Sequence, residues 1–226
     1  NSIIPVFYHY LCTMNFENVI TLGDIHSHFD VIITHIEKFD IEKSLYIQVG
    51  DFGIGFYKSD KKNMRVLNNK LVKTNNFLYA IRGNHDDPQW FKDDVFVDFK
   101  KELTNIKFVQ DYTTMDINDE TYLFIGGAVS IDRVERIEKN TGWWEDEIVN
   151  YDYDFCENVK GIDRVICHTS PNYCPPFAVN NATVMDRAVD DPTLLQDLVN
   201  ERTQMAKIIG DIQKNNDLKS FHYGHF

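Results

Sequence analysis

Cysteine is scarce in this chain and follows no disulfide pattern. The 226 residues include only Cys12, Cys156, Cys167 and Cys174, and none of them stands in a C-x-x-C pair. A chain of this length can bury a full apolar core without covalent cross-links. Free thiols in a reducing compartment are therefore predicted, and with them a cytoplasmic location.

Long apolar runs are missing as well. No stretch approaches the ~20 apolar residues that a transmembrane helix needs, so the sequence predicts no membrane association. Residues 1–13 are apolar but contain no Lys or Arg, which makes them a poor match to a secretory signal peptide. We interpret them as a leader or a vector-derived extension, with an extra edge strand as the alternative, and residues 14–226 as a single domain.

Basic residues are fewer than acidic residues in this chain. Lys and Arg number 23 against 35 Asp and Glu, which gives a net charge of −12. Proteins that bind nucleic-acid duplexes usually carry a basic patch. The densest basic stretch here, 58–73, has the spacing of a solvated helix face, so the sequence argues against a duplex as a partner.

The chain does contain a regular alternation of short β-rich runs and helical patterns. Strands are predicted over 19–22, 45–49 and 77–81, and helices over 29–39 and 61–73 lie between them. This rhythm is typical of an α/β sheet covered by helices.

The second part of the chain has fewer helices and more strands. Strands are predicted over 106–109, 113–117 and 121–125, with Asn118-Asp119 as a hairpin turn between the last two. A helix over 132–139, a strand over 164–167, a long helix over 192–215 and a strand over 220–223 complete the pattern.

Five of the predicted strands end at a residue type that binds metals. In chain order these residues are Asp24 with His26, Asp51, Asn84 with His85, His168, and His225. Loops at the carboxyl ends of strands in layered α/β folds converge on one crevice, so these side chains are expected to meet. Glycines at positions 23, 50, 83 and 224 permit the turns that carry them. One such motif alone is a weak signal, whereas the ordered set of five indicates a metal site.

The same five motifs resemble the signature of calcineurin-like metallophosphoesterases, of the bacterial or phage type. The resemblance spans residues 19–226, and its most specific part is the Gly-Asn-His-Asp run. The motifs are Gly23-Asp24-Ile25-His26, Gly50-Asp51-Phe52-Gly53, Gly83-Asn84-His85-Asp86, Cys167-His168-Thr169 and Gly224-His225-Phe226.

The resemblance implies a fold and a set of ligands. The fold is a four-layer α/β/β/α sandwich with two mixed β-sheets. Asp24 and His26 would bind a first divalent metal ion, and Asp51 would bridge it to a second. Asn84, His168 and His225 would complete the second site. The mixed nitrogen and oxygen donors suit Mn, Fe, Zn or Ni, and manganese is favoured.

The resemblance also implies a reaction, the hydrolysis of phosphate mono- or diesters. A hydroxide held between two cations is a strong nucleophile at neutral pH, because the cations lower the pKa of bound water. It would attack in line with the leaving group. His85 would not be a ligand; it would face the substrate and assist the leaving group.

The sequence departs from the family pattern in three places. Ser27 stands where many members have Gly, which an ordinary local backbone tolerates. Positions 54 and 55 hold Ile and Gly, where the phosphoprotein-phosphatase branch carries Asp and Arg; this argues against a phosphoprotein substrate. Asp86 is then the candidate to orient His85. The family's last motif is Gly-His-x-His, and its second His does not follow Phe226, so a domain shortened at this end and a weaker first metal site are expected.

Three further residues are candidates for binding the substrate. Asn84 lies beside His85, and Arg133 and Arg136 follow a β-run and a Gly-Gly turn, from which guanidinium groups can reach a phosphate. The alternative for the two arginines is a solvated helix face, paired with Glu135 and Glu138.

Three functions remain open from the sequence. The first is hydrolysis of a small phosphorylated substrate or nucleotide. The second is a non-catalytic scaffold that kept the fold, which does not explain why His85 is present. The third is a nuclease, which the acidic composition argues against because no basic groove is visible.

Overall fold

Residues up to 108 build a four-stranded parallel sheet. The computed structural model describes residues 15–57, 59–174 and 181–225, so the predicted leader over 1–13 lies outside the described residues. The strands stand in the spatial order β1 (Val19–Leu22), β2 (Leu45–Gln48), β3 (Phe77–Ala80) and β4 (Ile106–Phe108). The segments between them contain α1 (Asp30–Phe39), α2 (Asp60–Lys73), a 3-10 helix (Pro88–Phe91) and α3 (Val97–Glu102).

A mixed sheet follows. Its strands stand in the order β5 (Thr113–Ile117), β6 (Glu120–Ile125), β7 (Arg164–Cys167) and β8 (Ser220–His222). Strands β5 and β6 are antiparallel, whereas β6, β7 and β8 are parallel to one another. The predicted hairpin turn is present: Asn118 and Asp119 have φ values of 49° and 64°, the left-handed geometry that tight hairpins require.

Helices cover the second sheet as well. They are α4 (Arg133–Glu138), a 3-10 helix (Glu145–Glu147), α5 (Tyr153–Asn158), α6 (Asn181–Asp190) and α7 (Leu194–Gln213). The sequence predicted α4 and α7 but missed α3, α5 and α6. Both α3 and α5 are only six residues long, too short for a helical apolar period to register.

Successive side chains of a strand point to opposite faces of its sheet, and the buried apolar side chains form three layers. Leu45 and Ile47 on β2 point between the two sheets, while Tyr46 between them points toward the helices over the first sheet. A third layer lies between the second sheet and α5 and α7. The four-layer α/β/β/α sandwich is therefore confirmed.

Two details of the predicted fold need correction. Only the second sheet is mixed; the described strands of the first are all parallel, because helical crossovers rather than hairpins connect them. The apolar residues at helical spacing in the predicted helices over 29–39, 61–73 and 192–215 also imply wider buried faces than the structure has. Val31 and Phe39 of α1, Val72 of α2, and Leu195 and Val199 of α7 are exposed, since a helix on a sheet buries only a narrow stripe.

None of the described helices combines the length and the apolar character needed to cross a bilayer.

Replacing Ile47 by Ala is expected to lower the free energy of unfolding by about 2–5 kcal/mol. Ile47 is fully buried between the sheets, so the change leaves a cavity. Ile137 on α4 is 50% exposed and provides a matched control, expected to change stability by less than ~0.5 kcal/mol. Urea denaturation measures both; equal effects of the two substitutions would contradict the assigned inter-sheet layer.

Candidate metal centre

The polar residues that follow five of the strands meet in one cleft. Strands β1, β2 and β3 run parallel, as do β7 and β8, so each set delivers its following loops to one edge of its sheet. The cleft has a volume of about 270 Å³. Its lining consists of Asp24, His26, Asp51, Asn84, His85, Ile131, Asp132, Thr183, Arg187 and His225. A larger cleft of about 730 Å³ borders Arg82 and contains none of the predicted ligands.

Asp51 belongs to two groups of potential metal ligands at once. Its carboxylate lies with His26 and His85 in one group and with His168 and His225 in another, the ligand atoms of each group being within 4.8 Å of one another. The first group is partly open to solvent and the second is fully buried. A shared carboxylate between two such groups is the arrangement expected for a ligand that bridges two cations.

The orientation of His168 is fixed by a backbone contact. Its Nδ1 lies 2.7 Å from the carbonyl oxygen of Val49, so this nitrogen carries a proton and donates it. Without a proton on Nε2, the ring would present the lone pair of that nitrogen to Asp51 and Asn84, the form in which histidine binds metals.

Three acceptor atoms converge on the buried side of the cleft. The Nε2 atom of His168 lies 3.2 Å from the Oδ1 atoms of both Asp51 and Asn84. These three atoms need a positive charge among them, which either a proton on Nε2 or a metal ion can supply. Burial lowers the pKa of His168, but the Asp51 carboxylate outweighs this and raises the pKa to about 9. The same attraction stabilises a bound metal ion, so the residues present fit one.

The ligand loops adopt strained backbone conformations. His26, Asp51 and His225 have positive φ values of 44°, 55° and 56°. Such angles are uncommon for residues with a side chain, and they concentrate at functional sites. Glycine provides the space: a Cβ on Gly83 would lie 2.1 Å from the Asp51 carboxylate, and one on Gly50 would lie 2.2 Å from the His168 ring. Gly23 has nothing within 4 Å, so it has no such role.

Asp24 and His225 are joined directly. The amide of His225 donates to Oδ1 of Asp24 at 3.1 Å. His225 is buried, and burial lowers its pKa well below the usual value, so the ring is neutral. Asp24 itself lines the cleft without belonging to either compact group of ligand atoms.

His85 faces the cleft from the loop after β3. Its ring stacks on Phe56 at 5.7 Å between centroids and meets the edge of His26 at 4.9 Å. Burial lowers the pKa of His85. The nearest carboxylate to its Nε2 is that of Asp132, at 3.9 Å. An imidazole held in this way can donate a proton to, or accept one from, a molecule in the cleft.

Comparison with known proteins assigns the family. The sequence model of the calcineurin-like phosphoesterases matches residues 18–225, nearly the whole chain. This chain belongs to that family. A solved crystal structure that is 13% identical overlays with a TM-score of 0.53, covering 92% of this chain and 83% of that chain, and supports the fold alone. No protein with a curated description matches significantly.

The carboxylate of Asp86 does not contact the ring of His85, contrary to the role predicted from the sequence. Asp86 is fully buried and accepts hydrogen bonds from the amides of Phe52, Gly53, Ile54 and Gly83, at 2.7–3.2 Å. Burial raises its pKa to about 6. Its carboxylate therefore fixes the loop that carries Asp51 to the loop that carries Asn84. The carboxylate beside His85 is Asp132 instead.

Neither of the two predicted arginines lines the cleft. Arg133 is bound by the carboxylates of Asp191 and Asp197. Arg136 is buried and donates to the carbonyl oxygen of Asn84 at 3.1 Å and to that of Gly142 at 2.6 Å. Both guanidinium groups are held by protein acceptors, so Arg136 positions the Asn84 loop and Arg133 ties α4 to the start of α7.

Three polar residues of the cleft were missed from the sequence. Asp132 directly precedes Arg133, but nothing in the sequence placed it beside His85. Thr183 and Arg187 lie four residues apart on α6, a helix that the sequence analysis did not identify. Their i, i+4 spacing becomes informative only once that helix is known.

Replacing Asp86 by Asn is expected to lower the free energy of unfolding by roughly 2–4 kcal/mol. Each carboxylate oxygen accepts two buried amides, and the Nδ2 group of Asn would leave two of them without an acceptor. Chemical denaturation measures the change, with Asp98→Asn as a matched substitution on a fully exposed side chain. Wild-type stability for Asp86→Asn would exclude the proposed loop anchor.

Proposed function

We propose that this protein hydrolyses phosphate esters at a centre of two divalent metal ions. The observation that supports this most is the carboxylate of Asp51, which lies in both groups of candidate ligands. A carboxylate in this place reduces the repulsion between two neighbouring cations.

The proposed ligands follow the geometry of the cleft. Asp24, His26 and Asp51 would hold the first ion, on the open side. Asp51, Asn84, His168 and His225 would hold the second, on the buried side. When bound, the two ions supply an activated water molecule and neutralise charge on the phosphoryl group. The nitrogen and oxygen donors suit Mn, Fe, Zn or Ni, and manganese is the proposed ion.

His85 is proposed to assist the leaving group. Its ring lines the cleft, and its position between Phe56 and His26 restricts its rotation. The amide of His85 donates to Asp51 at 2.8 Å, which links its loop to the shared ligand. Asp132 is proposed as a positioning residue that favours the protonated ring, the form that can donate to a departing alkoxide.

The proposed substrate is a small phosphorylated molecule or nucleotide. A cleft of about 270 Å³ accepts a phosphate and a modest leaving group. The net charge of −12 disfavours a nucleic-acid duplex and gives no support to a phosphoprotein partner. A cytoplasmic location belongs to the same proposal and is supported by the free thiols of Cys156, Cys167 and Cys174.

Treatment with EDTA is expected to abolish hydrolysis of p-nitrophenyl phosphate and of bis-p-nitrophenyl phosphate, and Mn²⁺ is expected to restore it. Asp51→Asn should lose most bound metal at both positions, because its carboxylate is shared; metal analysis of the purified protein measures this. Turnover that survives thorough chelation would exclude the metal mechanism. No turnover by the fully loaded wild type would favour the non-catalytic scaffold.

Replacing His85 by Asn is expected to lower kcat by ~10²–10⁴-fold, since general acid–base groups contribute about that much. Metal content should stay at the wild-type level, because His85 is not a proposed ligand. His28→Asn is the matched control: His28 is exposed and lies outside the cleft lining. The assigned role fails if His85→Asn turns over a substrate with a poor leaving group as fast as the control does.

A further inference from the structure

Arg187 is the one basic side chain among the described residues that line the metal cleft. The lining otherwise consists of carboxylates, imidazoles, an amide, a hydroxyl and one aliphatic side chain. Arg187 reaches the cleft from α6, one turn after Thr183, which lines it as well. A guanidinium fork beside a metal centre is well suited to bind phosphate oxygens.

The resting contact of Arg187 is exposed and replaceable. Its Nη1 donates to Oε2 of Glu135 on α4, and both side chains are more than one-third exposed. Exposed pairs of this kind contribute little stability. Glu135 also binds Lys139, so it keeps a partner when Arg187 turns away. Within the described ranges, Nε and Nη2 of Arg187 make no hydrogen bond, and these donors can take a ligand.

No arginine can be placed at position 55. Gly55 has a φ of 101°, and a Cβ there would lie 2.4 Å from the Cβ of Asp87. Arg133 and Arg136 are held by protein acceptors and do not line the cleft. Among the described residues of the lining, the guanidinium group comes from α6.

We infer that Arg187 binds a non-bridging phosphoryl oxygen of the substrate and makes the site selective for monoesters over diesters. This rests on the proposed hydrolysis. A monoester at neutral pH carries close to two negative charges and three free oxygens, whereas a diester carries one charge and two free oxygens. An additional cation at the mouth of the cleft favours the first over the second.

Kinetics with Mn²⁺ test this selectivity. For Arg187→Gln, KM for p-nitrophenyl phosphate should rise roughly tenfold or more, with kcat changed far less. KM for bis-p-nitrophenyl phosphate should rise much less. Lys139→Gln is the matched control, because it removes the same charge and the other partner of Glu135 without lining the cleft. Equal effects of Arg187→Gln on the two esters, or a profile identical to that of Lys139→Gln, would overturn the inference.

Binding of inorganic phosphate to the metal-loaded protein, followed by calorimetry, gives a readout that does not depend on turnover. Arg187→Gln should weaken binding roughly tenfold, and Arg187→Lys should recover part of it. Glu135→Gln releases the arginine and should leave binding unchanged or tighter. Weaker binding by Glu135→Gln would show that the ion pair only joins α6 to α4. Phosphate binding that depends on Arg187 in a protein that hydrolyses neither ester would refute the proposed hydrolysis and leave this contact standing.

Discussion

The burial of the Asp51 carboxylate is the constraint on which the rest of the site depends. The residue is 2% exposed, and burial alone would raise its pKa. The His168 ring reverses this and holds the pKa well below the usual range. A buried anion is costly unless it is paired and hydrogen-bonded. Three imidazoles and one backbone amide therefore surround the carboxylate: those of His26, His168 and His225, and the amide of His85. Each of the four comes from the loop after a different strand.

Further buried acids hold these loops in place without facing the cleft. The carboxylate of Asp86 accepts hydrogen bonds from four backbone amides of two loops. Glu201 on α7 accepts from Thr169 at 2.6 Å and from the amide of Val129, which ties the loop after β7 to the loop after β6. Glu147 accepts the amide of Ser130 at 3.1 Å. Burial raises the pKa of both glutamates to about 7. The excess of acidic residues in the composition is thus partly structural.

The fold was largely predictable because its signals are local. Strands such as Val19–Leu22 and Arg164–Cys167 are short runs closed by a Gly or a polar ligand, and the order of those ligands identified the cleft. Contacts between distant segments were not predictable. The sequence cannot show that Asp86 turns toward backbone amides, that Arg136 is buried against Asn84, or that Arg187 reaches the cleft. Each of these depends on packing between residues 32 or more positions apart, which no periodicity encodes.

The hydrogen bond from the His225 amide to Asp24 joins residues 201 positions apart. Closing so long a loop costs conformational entropy before any local contact compensates for it. Ions that bind only the assembled cleft shift the folding equilibrium by mass action. Metal affinity and global stability are therefore linked quantities in this protein. A substitution far from the cleft that loosens the docking of the two sheets weakens metal binding only as far as it lowers the population of the closed state.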